Sequence, residues 1–210
     1  MKLFSFLLEG TLVTLQVFFL TLLFSLPLGL FVAFGRMSQS KWISKPVNFY
    51  IMVMRGTPLM LQLMFAYFAP FYMAGIKLDR FTAAIIAFSL NYAAYFAEIF
   101  RGGIESIQKG QYEASEVLGF TRTQTFIRII LPQVIKRILP PISNEVITLV
   151  KDTALVQVLG ISELFRVAKN ETSRIASTNP LLIAGMFYFV MNWAVTKLFH
   201  TAEKKLGYYR

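Results

Sequence analysis

Charged side chains make up only 15% of this 210-residue sequence, so the few that interrupt apolar segments are the ones placed to do chemistry. Glu145, Lys151 and Asp152 fall within one such segment and Glu163 follows it. A carboxylate in apolar surroundings is costly unless it meets a cation or a hydrogen-bond donor, so it marks a solute path or a buried pair. Asp152 is the foremost candidate for contact with a cationic solute; a structural pairing with Lys151 or Arg55 is the alternative. Lys151 and Asp152 are adjacent, and neighbours at i, i+1 do not face each other on a helix. Each therefore needs a separate partner, or the helix unwinds there. Thr57, Gln62, Asn91 and Tyr92 add hydrogen-bonding groups in other apolar segments, for a solute or for neighbouring helices and backbone. The chemistry within reach is recognition. With no cysteine and one histidine, neither a nucleophile–base constellation nor a metal-ligand cluster is visible, so no catalytic residue and no metal site is assigned.

A second constellation is polar and basic. Between Arg101 and Arg137 runs Glu113-Ala114-Ser115-x-x-x-Gly119-x9-Ile129-x-Leu131-Pro132. Residues 111–118 predict a short helix whose Ala114, Val117 and Leu118, at i, i+3 and i+4, form a small apolar face. Gly119 can end it in a left-handed conformation. Thr121-x-x-Gln124 then has the form of a capping box that starts a second helix, 122–131, before Pro132. Helix, glycine break and helix make a rigid knob on a membrane surface; the bland alternative is an interfacial amphipathic helix with no partner.

The elements that must position these residues are membrane helices. Hydrophobic residues are 56% of the chain, mean hydropathy is +0.57, and phenylalanine alone fills 21 positions. Residues 10–35 form an uncharged run that, at about 1.5 Å per residue, exceeds a hydrocarbon core of roughly 30 Å. It is too long for a signal-peptide core and is read as a retained first helix. The expected fold is an all-α integral membrane protein, one domain over 1–210. Its five spans lie near 11–34, 47–73, 81–100, 138–159 and 180–199, with a cytoplasmic loop over 101–137. Residues 156–178 have little membrane character and suit an outer re-entrant or surface helix.

The net charge of +10 invites a nucleic-acid reading, which the distribution opposes. With five spans drawn, 14 of the 21 basic residues, from Arg36 and Lys41 through Arg137 to Arg210, collect on one side. That is the positive-inside pattern, so the basicity is mainly topological. It puts the amino terminus outside and the carboxyl terminus in the cytoplasm. Arg55 either snorkels at the inner border or lies near the path. Glu98 and Arg101, at i, i+3, suit a structural ion pair.

The 101–137 spacing resembles the EAA loop of ABC-importer permeases, with Ser115 in place of the family's second alanine. Further segments resemble the polar amino-acid branch of that family. They are Gly10-Thr11-Leu12-x-Thr14-Leu15, Arg55-Gly56-Thr57-Pro58, Ala97-Glu98-Ile99-Phe100-Arg101-Gly102-Gly103-Ile104, Lys151-Asp152-Thr153-x-Leu155 and Gly160-Ile161-x-Glu163-Leu164.

The resemblance implies a bacterial cytoplasmic-membrane permease that pairs with a second permease, a copy or a sister subunit. It also implies two cytoplasmic ATPases docked on Glu113, Ala114, Ser115, Val117, Leu118 and Gly119, and an extracytoplasmic amino-acid-binding protein. No phosphate-binding G-x-x-x-x-G-K-[ST] motif occurs in the sequence, so ATP and Mg are expected on the partner and no cofactor on this chain. The expected solutes are polar amino acids. Three acids against one or two bases around Asp152 lean toward arginine, lysine or histidine; glutamine, glutamate or cystine-like solutes are the alternative. A nucleotide-independent secondary transporter is the reading from a different class, and it lacks the usual inverted repeat.

Overall fold

The computed structural model describes residues 2–206; Arg210, counted above with the inner charges, lies outside them. Among the described residues the chain is helical, without a strand. The order is α1 (Lys2–Arg36), α2 (Lys41–Gly56), α3 (Leu59–Ala74), α4 (Arg80–Glu105), α5 (Lys109–Val117) and α6 (Arg122–Thr125). A π-helical turn (Phe126–Ile130), α7 (Leu131–Asp152), a 3₁₀ segment (Thr153–Leu159), α8 (Leu164–Ile175) and α9 (Asn179–Leu206) follow.

Helix α4 is the axis of the bundle. Its small residues Ala83, Ala84, Ala87, Ala93, Ala94 and Ala97 are all buried, and they let neighbouring backbones come close, the packing device of apolar bundles. α1 uses that closeness: a Cβ on Gly29 would stand 2.9 Å from Phe96 Cβ, so only glycine fits. Phe88, Tyr92 and Phe96 fill the core on another side with Val17, Leu63, Leu149 and Val156. By contrast, α9 buries little beyond Pro180 and Ala184 and leaves Leu182, Met186, Phe189 and Trp193 exposed.

Three helices (α1, α4 and α9) are long and apolar enough to cross a membrane, or four crossings result if α2 and α3 count as one. α7 does not join them, because Lys136, Arg137 and Glu145, with Lys151 and Asp152 at its end, make it too polar. The segment expected as a span over 47–73 is bent: α2 and α3 meet at 113°. Pro58 has no N–H and pushes the preceding residue out of the helical region. Thr57 accordingly has φ −123° and ψ 149°. Neither 16-residue half, about 24 Å long at 1.5 Å per residue, spans a bilayer alone.

The expected stop at Pro132 is also corrected. Pro132 sits in the first turn of α7, where a missing N–H costs nothing, and the π turn before it keeps the helix running. The helix expected from residue 138 therefore starts back at Leu131, and it carries Pro140 and Pro141 internally. Its α-helical part stops at Asp152 and tightens to 3₁₀, which is the local change that the adjacent Lys151 and Asp152 called for. α8 stands where the outer surface helix was expected.

Candidate functional site: a polar seam and an exposed knob

Two groups of side chains stand out, one within the bundle and one at its end. The seam begins at the bend. Gln62 lies one turn into α3, and its Nε2 donates to Met54 O at 3.0 Å and to Thr57 Oγ1 at 2.7 Å. Asn91 Nδ2 donates to the same Met54 carbonyl at 3.0 Å and to Gln62 Oε1 at 2.9 Å. Thr57 Oγ1 in turn donates to Val53 O at 2.7 Å. The carbonyls freed by the break are thus satisfied by side chains, as irregular backbone inside an apolar bundle requires. Asn91 is buried, whereas Thr57 and Gln62 reach a more open surface.

Next to Asn91 in the chain, Tyr92 is 2% exposed and its hydroxyl donates to Asp152 Oδ2 at 2.8 Å. This bond joins α4 to the end of α7 across 60 positions in sequence. It is the separate partner that Asp152 needs. Glu145 stands half-buried two turns earlier on α7, and Lys151 is exposed.

Glu163 has a different place from the one expected. It is fully buried and caps α8, accepting from Phe165 N and Arg166 N, each at 2.7 Å, and from Tyr188 OH at 3.0 Å. Leu164 N beside it donates to Thr14 Oγ1. A carboxylate so enclosed and so fully bonded ties α8 to α9, while Leu164 ties α8 to α1, and it has no surface to offer a solute.

At the other end of α4, Glu98 gathers three arginines. Arg101 forms a two-pronged pair at 3.0 and 2.8 Å, and Arg36 and Arg55 approach to 3.6 and 3.8 Å. Arg55 also lies 5.3 Å above the Tyr95 ring, so it is tied into the bundle and does not simply extend to the interface. Glu98→Ala would leave three guanidiniums facing one another. The expected loss is about 2 kcal/mol, the scale of hydrogen bonds to charged groups. It should show as a lower thermal midpoint of the purified protein in detergent, with Glu98→Gln intermediate. An unchanged midpoint would mean that the cluster is solvent-screened.

The knob follows α4. α5 is exposed along most of its length, and Val117 and Leu118 are 87% and 72% exposed. The apolar face drawn on Ala114, Val117 and Leu118 therefore points away from the bundle. The inward residue is Ser115, 2% exposed, whose hydroxyl accepts from Thr125 Oγ1 at 3.0 Å and donates to Tyr112 O at 2.7 Å. Ser115 thus does more than fit where an alanine would: it staples the short helix to the foot of α6.

Gly119 has φ +78°. Its N–H donates to Glu116 O at 2.9 Å, and Phe120 N donates to Ser115 O at 3.0 Å, the paired bonds of a Schellman turn. Thr121 and Gln124 complete the reciprocal capping box at 3.3 and 2.9 Å. Arg137, in α7, also donates to Ser106 O, tying α7 to the end of α4. No group of three or more His, Cys, Asp or Glu that could hold a metal occurs among the described residues.

Comparison with known proteins places this arrangement. The family described as "Binding-protein-dependent transport system inner membrane component" matches residues 25–207. The putative glutamine transport system permease protein of Rickettsia conorii is 38% identical over 204 residues, spanning 96% of this chain and 93% of that protein. The arginine transport system permease protein of Bacillus subtilis is 40% identical over 205 residues, spanning 96% and 92%. Among solved structures, a crystal structure of an amino acid ABC transporter with histidines superposes with a TM-score of 0.89 at 36% identity, covering 97% of this chain and 95% of that one.

Proposed function

We propose, from the premise that this chain belongs to the family of binding-protein-dependent transport system inner membrane components, that it is the permease subunit of an ATP-driven importer of polar amino acids. The observation that carries this reading is the exposed knob. Val117 and Leu118 are large apolar side chains held out from the bundle by a helix that is stapled from below through Ser115. Apolar surface built so rigidly into the open is a docking surface. A soluble ATPase fits it, with Glu113 and Glu116 at the rim of the contact. ATP and Mg belong to that partner.

The whole chain then acts as one transmembrane domain. Its amino terminus lies outside, its carboxyl terminus and the 101–137 loop lie in the cytoplasm, and five passes cross the cytoplasmic membrane, with the bent pair counted as one and α7 with its 3₁₀ end as another. A second permease faces it, an extracytoplasmic binding protein delivers the solute, and two ATPases drive alternating access. The lightly buried α9 and the polar residues of α7 suit a partner copy better than lipid, because a charge facing hydrocarbon is expensive.

Thr57, Gln62, Asn91, Tyr92, Glu145 and Asp152 compose the candidate path, with Asp152 the recognising charge. A carboxylate held at one oxygen by Tyr92 favours a cationic solute, so arginine, lysine and histidine are preferred over glutamine and cystine. The test is ATP hydrolysis by the assembled importer, with its binding protein, across a panel of amino acids. Cationic amino acids are expected to stimulate hydrolysis at least fivefold more than neutral ones. Equal stimulation by glutamine would end the cationic preference, and failure of any ATPase to co-purify would end the importer reading itself.

A further inference from the structure

At the end of the bundle opposite the knob, the chain leaves the 3₁₀ segment through Gly160, which has φ +81°. Two guanidiniums from distant parts of the sequence close over it. Arg80 opens α4 and Arg166 lies in the first turn of α8, yet each places its Nη1 2.8 Å from where a Cβ on residue 160 would stand. Twice that distance, about 5.6 Å, is therefore the largest possible separation of the two nitrogens. Two like charges so close repel unless an anion lies between or beside them.

The nearby acids are engaged elsewhere. Asp79 accepts from Thr82 N at 2.9 Å as the cap of α4, and the Thr82 side chain, together with that backbone bond, holds its carboxyl below the usual carboxylate range. Glu171 pairs with Arg174 at 2.6 Å. Glu163 lies near enough to attract Arg166, but its oxygens already accept from two backbone amides and Tyr188. Arg166 Nη1 is buried with no hydrogen-bond partner among the described residues, which is costly for a charged donor. Beside the pair opens a polar hollow of about 350 Å³ lined by Gln157, Gly160, Arg166, Lys169 and Asn170, with Val158 the one apolar wall.

We propose that Arg80 and Arg166, converging over Gly160, form a carboxylate-binding site on the outer face of the permease. The paired guanidiniums offer the planar, multi-donor geometry that suits a carboxylate. Val158 alone among the hollow's lining residues is apolar, too little to hold an acyl chain, so a lipid does not fit. Glycine at 160 is required twice over, by its positive φ and because any side chain would fill the gap between the two arginines. This inference rests on the importer reading, which puts this end outside, where a carboxylate arrives from one of two sources: the amino acid itself, or an Asp or Glu side chain on the protein that delivers it.

The test uses the assembled importer in phospholipid nanodiscs, as wild type, Arg80→Gln and Arg166→Gln. Two affinities are measured: for radiolabelled arginine alone, and for the arginine-loaded binding protein. Arg80 is exposed, so its substitution should not impair folding, and recovery of the complex by size exclusion checks this for both. At least a tenfold weakening in one arm is expected. Confined to free arginine, it identifies the solute carboxylate; confined to the binding protein, it identifies an acidic side chain. Unchanged affinities in both arms would overturn the site. A wild-type importer without any binding-protein-stimulated ATP hydrolysis would instead refute the importer reading, whereas a stimulated wild type matched by both variants would refute this site alone.

Discussion

Gly119→Val is expected to insert normally, keep its bundle and lose at least tenfold in ATPase-coupled transport. Gly119 adopts φ +78°, a region that costs an ordinary residue about 1–2 kcal/mol and a β-branched one more. The loss would be conformational, since a Cβ there meets nothing within 4 Å. Relieving the strain means opening the Schellman turn, which frees the Glu116 and Ser115 carbonyls and swings Val117 and Leu118 away from their position. Gly119→Asn provides the control: asparagine tolerates the left-handed region and should retain most of the coupling. The measurements are ATPase recovered per permease and solute-stimulated hydrolysis. A valine variant equal to wild type in both would show that the turn does not position the knob.

The second large effect is expected at Asp152. Asparagine has the same shape, and its side-chain oxygen can still accept the Tyr92 hydroxyl, so Asp152→Asn removes charge while leaving the 2.8 Å contact available. Uptake of arginine or lysine should fall at least tenfold, while a neutral amino acid, if carried at all, is spared. Tyr92→Phe separates positioning from charge. It keeps the carboxylate but frees Oδ2 from its donor, and a few-fold change in apparent affinity with little change in preference is expected. The readout is competition between cationic and neutral amino acids in proteoliposomes. An Asp152→Asn permease with unaltered uptake and unaltered preference would exclude direct contact.

What could be read from residue order alone was local. The capping box at Thr121 and Gln124, the left-handed Gly119 and the short helix before it depend on groups within a few positions of one another, and the structure has all three. The break between α2 and α3 is signalled by Gly56-Thr57-Pro58, although the apolar run continues across it. Pro132 predicts a stop because a proline usually ends a helix. The π turn just before it, whose wider winding has no clear sequence mark, moved the proline into a first turn where it fits. Long-range pairs were beyond reach. Nothing near Asp152 points to Tyr92, nothing near Glu163 to Tyr188, and nothing near Gly160 to an arginine 80 positions earlier. The same limit applies to Ser115, whose partner, the Thr125 hydroxyl, lies ten positions away and is not revealed by helical periodicity.

From Arg122 to Leu159 the backbone is helical without interruption, and this makes it a lever arm. Thr125, bonded to Ser115, stands near the fulcrum, and Asp152 stands far out along the arm. At about 1.5 Å per residue the two are separated by roughly 40 Å. A tilt of about 5° imposed at the fulcrum would carry the far carboxylate through some 3–4 Å, roughly the distance that separates a hydrogen bond made from one broken. Compliance in such an arm concentrates where the backbone ladder is thinned, at Pro140 and Pro141. The mechanical gain of the molecule is therefore written into the length of one helix, and its give into two residues near the middle.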